Sequence, residues 1–267
     1  MGGGLFDWLR GANRRRIARR RLARPPVPTP FGFRFNGLAA MQQGSFEPFE
    51  TALVRRLLDR ADRFVNVGAN TGYYCCFAQQ VGVPTVALEP VAPNVQMLIG
   101  NMRANGWGDG ITVLPVAAGE HPGFAEIFGV GTGSSLLPGW AGNPESLSQT
   151  VPVVRLDDVV PPPAAGERLL VLMDVEGYEY FALRGASALL ESQPRPLWLI
   201  EIAAEGAGSA ASGHVAETFA MMAAAGYAAA AVREGLDPVT GPVPGVTNYL
   251  FHDAGLAPDA VFAETPR

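Results

Sequence analysis

Along most of this chain, short continuous apolar runs alternate with longer segments whose apolar residues recur at helical spacing. The runs at 63–67, 84–89 and 111–116 read as strands, with helices predicted between them over 73–81 and 93–104. A second series follows: strand 168–173, helix 178–191, strand 196–202, helix 212–225 and strand 226–232, with a final strand near Thr247–Phe251. Strands without polar alternation are buried on both faces, and regular strand–helix alternation implies a parallel sheet with right-handed crossovers. The chain is therefore expected to be α/β and Rossmann-like, mostly parallel, with helices on both faces. One helix over about 46–60 precedes the first strand. Phe49, Leu53, Val54, Leu57 and Leu58 fall on one of its faces, with Ser45 as its cap and Pro48 in its first turn.

The alternation breaks between 117 and 155. Ala125–Phe128 and Val151–Arg155 read as short strands, and the Gly-, Ser- and Pro-rich stretch between them is long for a connection. It is expected to be a functional lid or a mobile segment. Pro25, Pro26, Pro28 and Pro30 form a stiff linker or turn region.

Composition adds two constraints. The 20 basic residues are all arginine, and they are unevenly placed. Residues 1–24 hold eight of them with one acid, and the remainder holds 12 against 24 acids. An acidic body argues against a long nucleic-acid substrate. The basic arm, Arg14–Arg24 with Leu5, Phe6, Trp8 and Leu9 ahead of it, reads as a solvated, partly helical tail. The alternatives are an amphipathic segment resting on an anionic membrane, and a contact for a partner or an anionic glycan. No apolar run reaches the length of a membrane span, and no signal-peptide core is present, so the chain is expected in the cytoplasm, with the membrane's inner surface open to the arm. Cys75 and Cys76, the only cysteines, adjoin in a predicted buried helix and read as core residues.

The chemistry concentrates in RFVNVGANTGYYCCFAQQ, residues 63–80, and the following VALEP. A strand runs into a turn with glycines at 68 and 72, a helix follows, and a second strand ends in an acid, Glu89. Glycines let a backbone pass close to a ligand, the helix N-terminus offers free N–H groups, and an acid at the second strand's tip is placed to take ribose hydroxyls. The G-x-x-x-G spacing lacks the third glycine of the dinucleotide fingerprint, which disfavours NAD and suits S-adenosylmethionine.

NVGANTGYY, LEPVAPNVQMLIGNMRAN, VPVVRLDDVV and MDVEGYEYFALRGA, in that order, resemble the successive signatures of the FkbM-type methyltransferase family, over about residues 44–253. Two positions depart from it: the family usually has Asp where this chain has Asn66, and Lys where it has Leu172. Asn66 hydrogen-bonds but carries no charge to pair with a ligand's ammonium. The resemblance implies a class I fold with its last strand antiparallel. It divides the chain into an arm and linker, 1–28, and an S-adenosylmethionine-binding domain, 29–267. It further implies methyl transfer to a hydroxyl oxygen of a small molecule, polyketide or sugar. The alternatives are a Rossmann-type NAD(P) oxidoreductase and a non-catalytic methyltransferase-like binding protein tethered through the arm.

Ligands of open α/β sheets sit beyond the carboxyl ends of the strands. Asn66, Gly68, Ala69, Asn70, Thr71, Gly72, Tyr73, Glu89, Pro90, Ala117 and Asp174 are accordingly expected to face the cofactor. Asp174, Glu176 and Glu201 are the candidate catalytic carboxylates, with capping of the next helix as the plain role for Asp174. No metal site is assigned, although carboxylates on these two strand ends suit a hard divalent cation. Ser134 and Ser135 are candidate substrate contacts, and Trp140 covers a sugar ring or anchors the loop. Asn101 and Asn105 read as cap and turn residues. His121, His214 and His252 read as surface residues, His252 retaining a claim to the substrate side. Substrate choice is expected in the loops near 129–149 and 234–246.

Overall fold

The structure, a computed structural model, describes residues 22–129, 131–203 and 214–262. All of the basic arm before Leu22 lies outside the described residues. Among them no helix is long and apolar enough to cross a membrane.

The core is an eight-stranded sheet. Its first half comprises β3 (Arg63–Val67), β4 (Thr85–Leu88) and β5 (Ile111–Leu114), joined by helices α3 (Tyr73–Gln80) and α4 (Ala92–Ala104). Its second half comprises β9 (Leu169–Met173), β10 (Leu197–Glu201), β11 (Tyr227–Val232), β12 (Leu236–Val239) and β13 (Asn248–Asp253). The spatial order is β12-β11-β13-β10-β9-β3-β4-β5, and the five strands from β10 to β5 are mutually parallel. This is the class I arrangement expected. The last strand, β13, is antiparallel to both its neighbours, and it lies inside the sheet rather than at its margin. The margin is β12, in a stretch read as a loop.

Side chains alternate between two cores. Phe64, Leu170, Leu172 and Leu199 meet α2 (Pro48–Leu58), α3 and α4, while Val65, Val67, Val171, Met173, Trp198 and Ile200 meet the helices after β9 on the other face. Those helices are α6 (Glu179–Arg184), α7 (Ser187–Glu191) and α8 (Val215–Ala224). The single helix expected over 178–191 is broken because Gly185 lies against the backbone of Gly119, where a Cβ would overlap the carbonyl oxygen. Asp157 then caps α7, accepting the Ala188 and Leu189 N–H groups at 3.0 and 3.2 Å.

Other expectations are corrected near the N-terminal side. The cap of α2 is Glu47, in a left-handed conformation (φ 40°), not Ser45, because the helix starts at Pro48. Phe49 points outward, 49 % exposed, and Thr51 takes an inward position instead. Of the two roles expected for the proline-rich segment, stiff linker or turn region, it takes the turn. Val27–Pro28 (β1) pairs with Arg34–Phe35 (β2), and the hairpin buries Phe33 and Phe35 against Phe77 and Tyr73. A short helix, α1 (Ala39–Gln43), leads from it to α2.

Asn101 is not a cap. Fully buried within α4, its Oδ1 accepts the Asn36 N–H (2.7 Å), and its Nδ2 donates to the carbonyls of Asn36 (3.0 Å) and Thr71 (2.8 Å). It thus ties the segment after the hairpin to the glycine turn. Asn101→Ala leaves buried backbone groups unpaired and is expected to cost about 2–4 kcal/mol of stability, read from the urea midpoint. A midpoint unchanged from wild type would contradict this role.

The 117–155 insertion is a small sheet of β6 (Ala117–Ala118), β8 (Ser148–Val154) and β7 (Gly123–Phe128), in the order β6-β8-β7, set beside the carboxyl ends of the main strands. β5 therefore ends early, at Leu114, and the chain changes sheet at Ala117.

Candidate functional site

Two adjoining cavities open beyond the carboxyl ends of β3, β4, β9 and β10. The first, about 550 Å³, runs from Gly68 and Asn70 past Glu89, Pro90 and Asn94 to Ala117, Ser134 and Tyr178. The second, about 710 Å³, is lined by Asn66, Ala69, Thr71, Tyr73 and Glu201 on the sheet side, and by Leu38, Phe46 and Glu47 on the other. Gly68, Asn70, Asp174 and Glu176 belong to both walls. Almost every residue singled out in the sequence therefore lies on one continuous surface. Gly72 is the exception among the turn residues: it sits over Leu98, whose Cγ would lie 2.8 Å from an added Cβ.

The turn has left-handed glycines at both ends, Gly68 at φ 81° and Gly72 at φ 82°, with Asn70 at φ 49° between them. At Gly68 the close approach is made by the protein itself: a Cβ there would overlap the Asp174 carbonyl oxygen. Gly68 thus lets β3 and β9 come together at the site.

Glu89 is 4 % exposed and already structured. Its carboxylate accepts the backbone N–H groups of Asn70 (2.7 Å) and Val91 (2.8 Å) and the Asn94 amide (3.1 Å). Burial pushes its carboxyl up to about 7 against these hydrogen bonds. Near the turn, Asn66 Oδ1, Asn70 Oδ1 and Thr71 Oγ1 are buried without a hydrogen-bond partner among the described residues. Such atoms are costly unless something binds them, so the wall suits a polar ligand.

Asp174 stands where the cavities join. Its backbone N–H donates to Val67 (2.9 Å), but its carboxylate makes no hydrogen bond or ion pair with any described residue. Burial, then the charges of Glu201, Glu176 and Glu47, push its carboxyl well above the usual range. The Glu201 carboxylate likewise makes no hydrogen bond with any described residue, and it is pushed up to about 8 by burial and by Glu47. Glu176 is held in a left-handed conformation (φ 56°), with its carboxylate accepting the Trp140 indole N–H at 2.7 Å. Trp140 packs on Gly177, where a Cβ would overlap its ring, so it anchors the loop. Ser135 donates to the Glu176 carbonyl (2.7 Å) from a buried position, whereas Ser134 faces the first cavity.

Two acids were not singled out in the sequence. Buried Glu179 takes the helix-start role considered for Asp174, accepting the Gly177 N–H at 3.0 Å, and burial raises its carboxyl to about 7. Its place five residues after Asp174 in the same acidic run was the available signal. Glu47 accepts the Tyr74 hydroxyl at 2.6 Å across the second cavity, and nothing local marked it. His252 is corrected: it is buried at the far end of β13, and the antiparallel course of that strand brings Asn248, beside Glu201, to the site instead.

These raised carboxyls make stability pH-dependent. A folded-state value above the unfolded one means the folded chain binds more protons between the two, so stability falls as pH rises across that span. With Glu89 and Glu179 near 7 and Glu201 near 8, the free protein is expected to lose several kcal/mol between pH 5 and pH 8. Urea midpoints across that range test it; a flat or rising profile would contradict the burial of these acids.

The profile of the Methyltransferase FkbM domain matches residues 66–228, more than half of the chain. The chain belongs to the FkbM methyltransferase family. Its donor is accordingly S-adenosylmethionine, as expected, and the oxidoreductase alternative falls. No curated protein matches at a significant level. Among solved structures, the FkbM chain resembles a Klebsiella pneumoniae protein described as an O-methyltransferase (17 % identity, TM-score 0.48, covering 89 % of this chain and 86 % of that one). It also resembles the Bacillus cereus O-methyltransferase solved with SAH (12 %, 0.49, 80 % and 84 %) and the Geobacter metallireducens precorrin-6y C5,15-methyltransferase (13 %, 0.44, 82 % and 95 %). At this distance the likeness concerns the fold alone.

Proposed function

We propose that this FkbM-family methyltransferase acts on a hydroxyl oxygen of a small molecule, polyketide or sugar. The observation that carries the reading is the junction of the two cavities: the Asp174 carboxylate, bonded to no described residue, stands on the wall they share. S-adenosylmethionine, when bound, supplies an electrophilic methyl group on a sulfonium sulfur. The chain's own residues supply position and proton handling.

In this reading the first cavity takes the nucleoside, with Glu89 receiving a ribose hydroxyl and Pro90 and Ala117 bordering the base. Three of the roughly four acceptor positions of the Glu89 carboxylate are already used, so it takes one hydroxyl directly; the second requires the Asn94 amide to turn away. The turn from Gly68 to Tyr73, with Asn66 behind it, borders the methionine end. Asp174 orients the acceptor hydroxyl and takes its proton, with Glu201 and Glu176 beside it. Trp140 and Ser135 hold the loop closed over Glu176, and Ser134 borders the bound ligand.

Glu89→Ala is expected to weaken cofactor binding by about 1.5–3 kcal/mol, tenfold or more. Equal affinity for mutant and wild type in a calorimetric titration would remove Glu89 from the ribose site. The reaction itself is tested by incubating the chain with methyl-labelled S-adenosylmethionine and pooled hydroxylated metabolites and glycans. Label recovered as a methyl ether supports the reading; label recovered only on nitrogen or carbon refutes the choice of oxygen.

A further inference from the structure

The second cavity has a property that methyl transfer to a hydroxyl does not by itself require. Four carboxylates line it, those of Glu47, Asp174, Glu176 and Glu201, and no Arg or His side chain among the described residues does. Two are fixed by neutral donors, Glu47 by the Tyr74 hydroxyl and Glu176 by the Trp140 indole, which orient a carboxylate without neutralising it. The carboxylates of the other two, Asp174 and Glu201, make no hydrogen bond with any described residue. On the same wall the side-chain oxygens of Asn66 and Thr71, residues 2 % and 6 % exposed, are buried and unpartnered among the described residues. Every one of these groups accepts, and none brings a positive charge.

The bound cofactor does not balance this wall. Its sulfonium and ammonium are offset by its own carboxylate, so it brings one net positive charge. A metal ion does not fit either, since among the described residues no three acidic, His or Cys side chains come close enough to share one. The acids are spread around a roomy cavity whose wall also carries apolar Leu38, Met41, Phe46 and Leu172. That combination suits an organic cation with a carbon skeleton, and like charge disfavours a phosphate or carboxylate acceptor.

We propose that the acceptor carries a protonated amine beside the hydroxyl that is methylated, as an amino alcohol or amino sugar does, and that the acidic cavity holds this ammonium. The proposal rests on the methyl-transfer reading for the hydroxyl, while the cation preference stands on the cavity wall itself. A preformed, half-buried set of carboxylates is screened less than a surface pair.

The test uses the full chain saturated with SAH at pH 8 and two ring compounds of matched shape, trans-2-aminocyclohexanol and cyclohexane-1,2-diol. The amino alcohol is expected to bind at least tenfold more tightly. Glu47→Gln, which keeps the side chain's shape, is expected to weaken the amino alcohol at least fivefold and leave the diol unchanged. Wild-type protein gives a second readout that needs no variant. Titration in buffers of different ionisation enthalpy should show proton release with the amino alcohol and none with the diol, because the ammonium draws Glu201, near 8 in the free chain, into its ionised form. The groups facing that ammonium are Glu47, Asp174, Glu176 and Glu201, with the Tyr73 and Tyr74 hydroxyls beside them. Equal affinity for the two compounds, binding of neither, or equal proton release overturns the proposal. Failure of SAH to bind overturns the methyl-transfer reading instead, and the same two titrations on the free chain then decide the cation preference.

Discussion

Asp174→Asn is expected to lower turnover at least about a hundredfold with the true acceptor, within the range for a positioned acid–base group. The substitution preserves size and removes only charge and basicity, so the circular-dichroism spectrum should stay that of the wild type. The expectation comes from contrast among neighbouring acids. Glu179 and Glu89 spend their carboxylates on backbone N–H groups, and Glu176 spends one oxygen on Trp140. Asp174 spends none and is reached from both cavities. Because burial and neighbouring charge raise its carboxyl, the basic form grows as pH rises. The wild-type rate should therefore climb as pH rises above the ordinary carboxylate range, and the residual rate of the Asn variant should lose that dependence. A variant that turns over like wild type, with the same pH profile, would show that Asp174 handles no proton.

Gly68→Val is expected to cost about 3 kcal/mol or more. A left-handed backbone is unfavourable for an L side chain by about 1–2 kcal/mol, and forced overlap in a packed region adds about 1–3 kcal/mol. The overlapping atom, the Asp174 carbonyl oxygen, has little room to retreat. Gly68 N–H is bonded to Leu88, and Asp174 N–H to Val67, each at 2.9 Å, so three strands are locked at that point. For a chain of this size the melting temperature should fall by roughly 6–12 °C. Cofactor affinity should fall with it, since the turn and Asp174 shift together. A Val variant with the wild-type melting temperature would mean that the strands separate easily there. The sequence suggests a glycine kept clear for a ligand; the geometry makes it first a glycine kept clear for a neighbouring strand.

That difference shows what could be read in advance. β3, β9 and β10 are continuous apolar runs because both faces are covered, and their bounds were legible to within a residue. Glu89 and Asp174 were legible because a strand's end fixes where its next residue lies. The proline-rich hairpin was not, since two-residue strands leave no periodicity and its burial depends on Phe77 and Tyr73 far along the chain. Asn101 looked like a helix-end residue, but its partners are 65 and 30 residues away. Glu47 reaches the site only through the fold of the segment before α2, and the break at Gly185 is imposed by Gly119. What escaped the sequence is contact between distant segments, and the acidic wall of the second cavity is built from such contacts.

The most direct test of the whole arrangement is a crystal structure of the full chain with SAH. Expected there are a ribose hydroxyl on the Glu89 carboxylate, the adenine beside Pro90 and Ala117, the sulfur at the junction next to Asp174, and the methionine end along the turn from Gly68 to Tyr73, leaving the Glu47 and Glu201 side of the second cavity open for the acceptor. A nucleoside found in that acidic cavity, or a ribose bound away from Glu89, would contradict it.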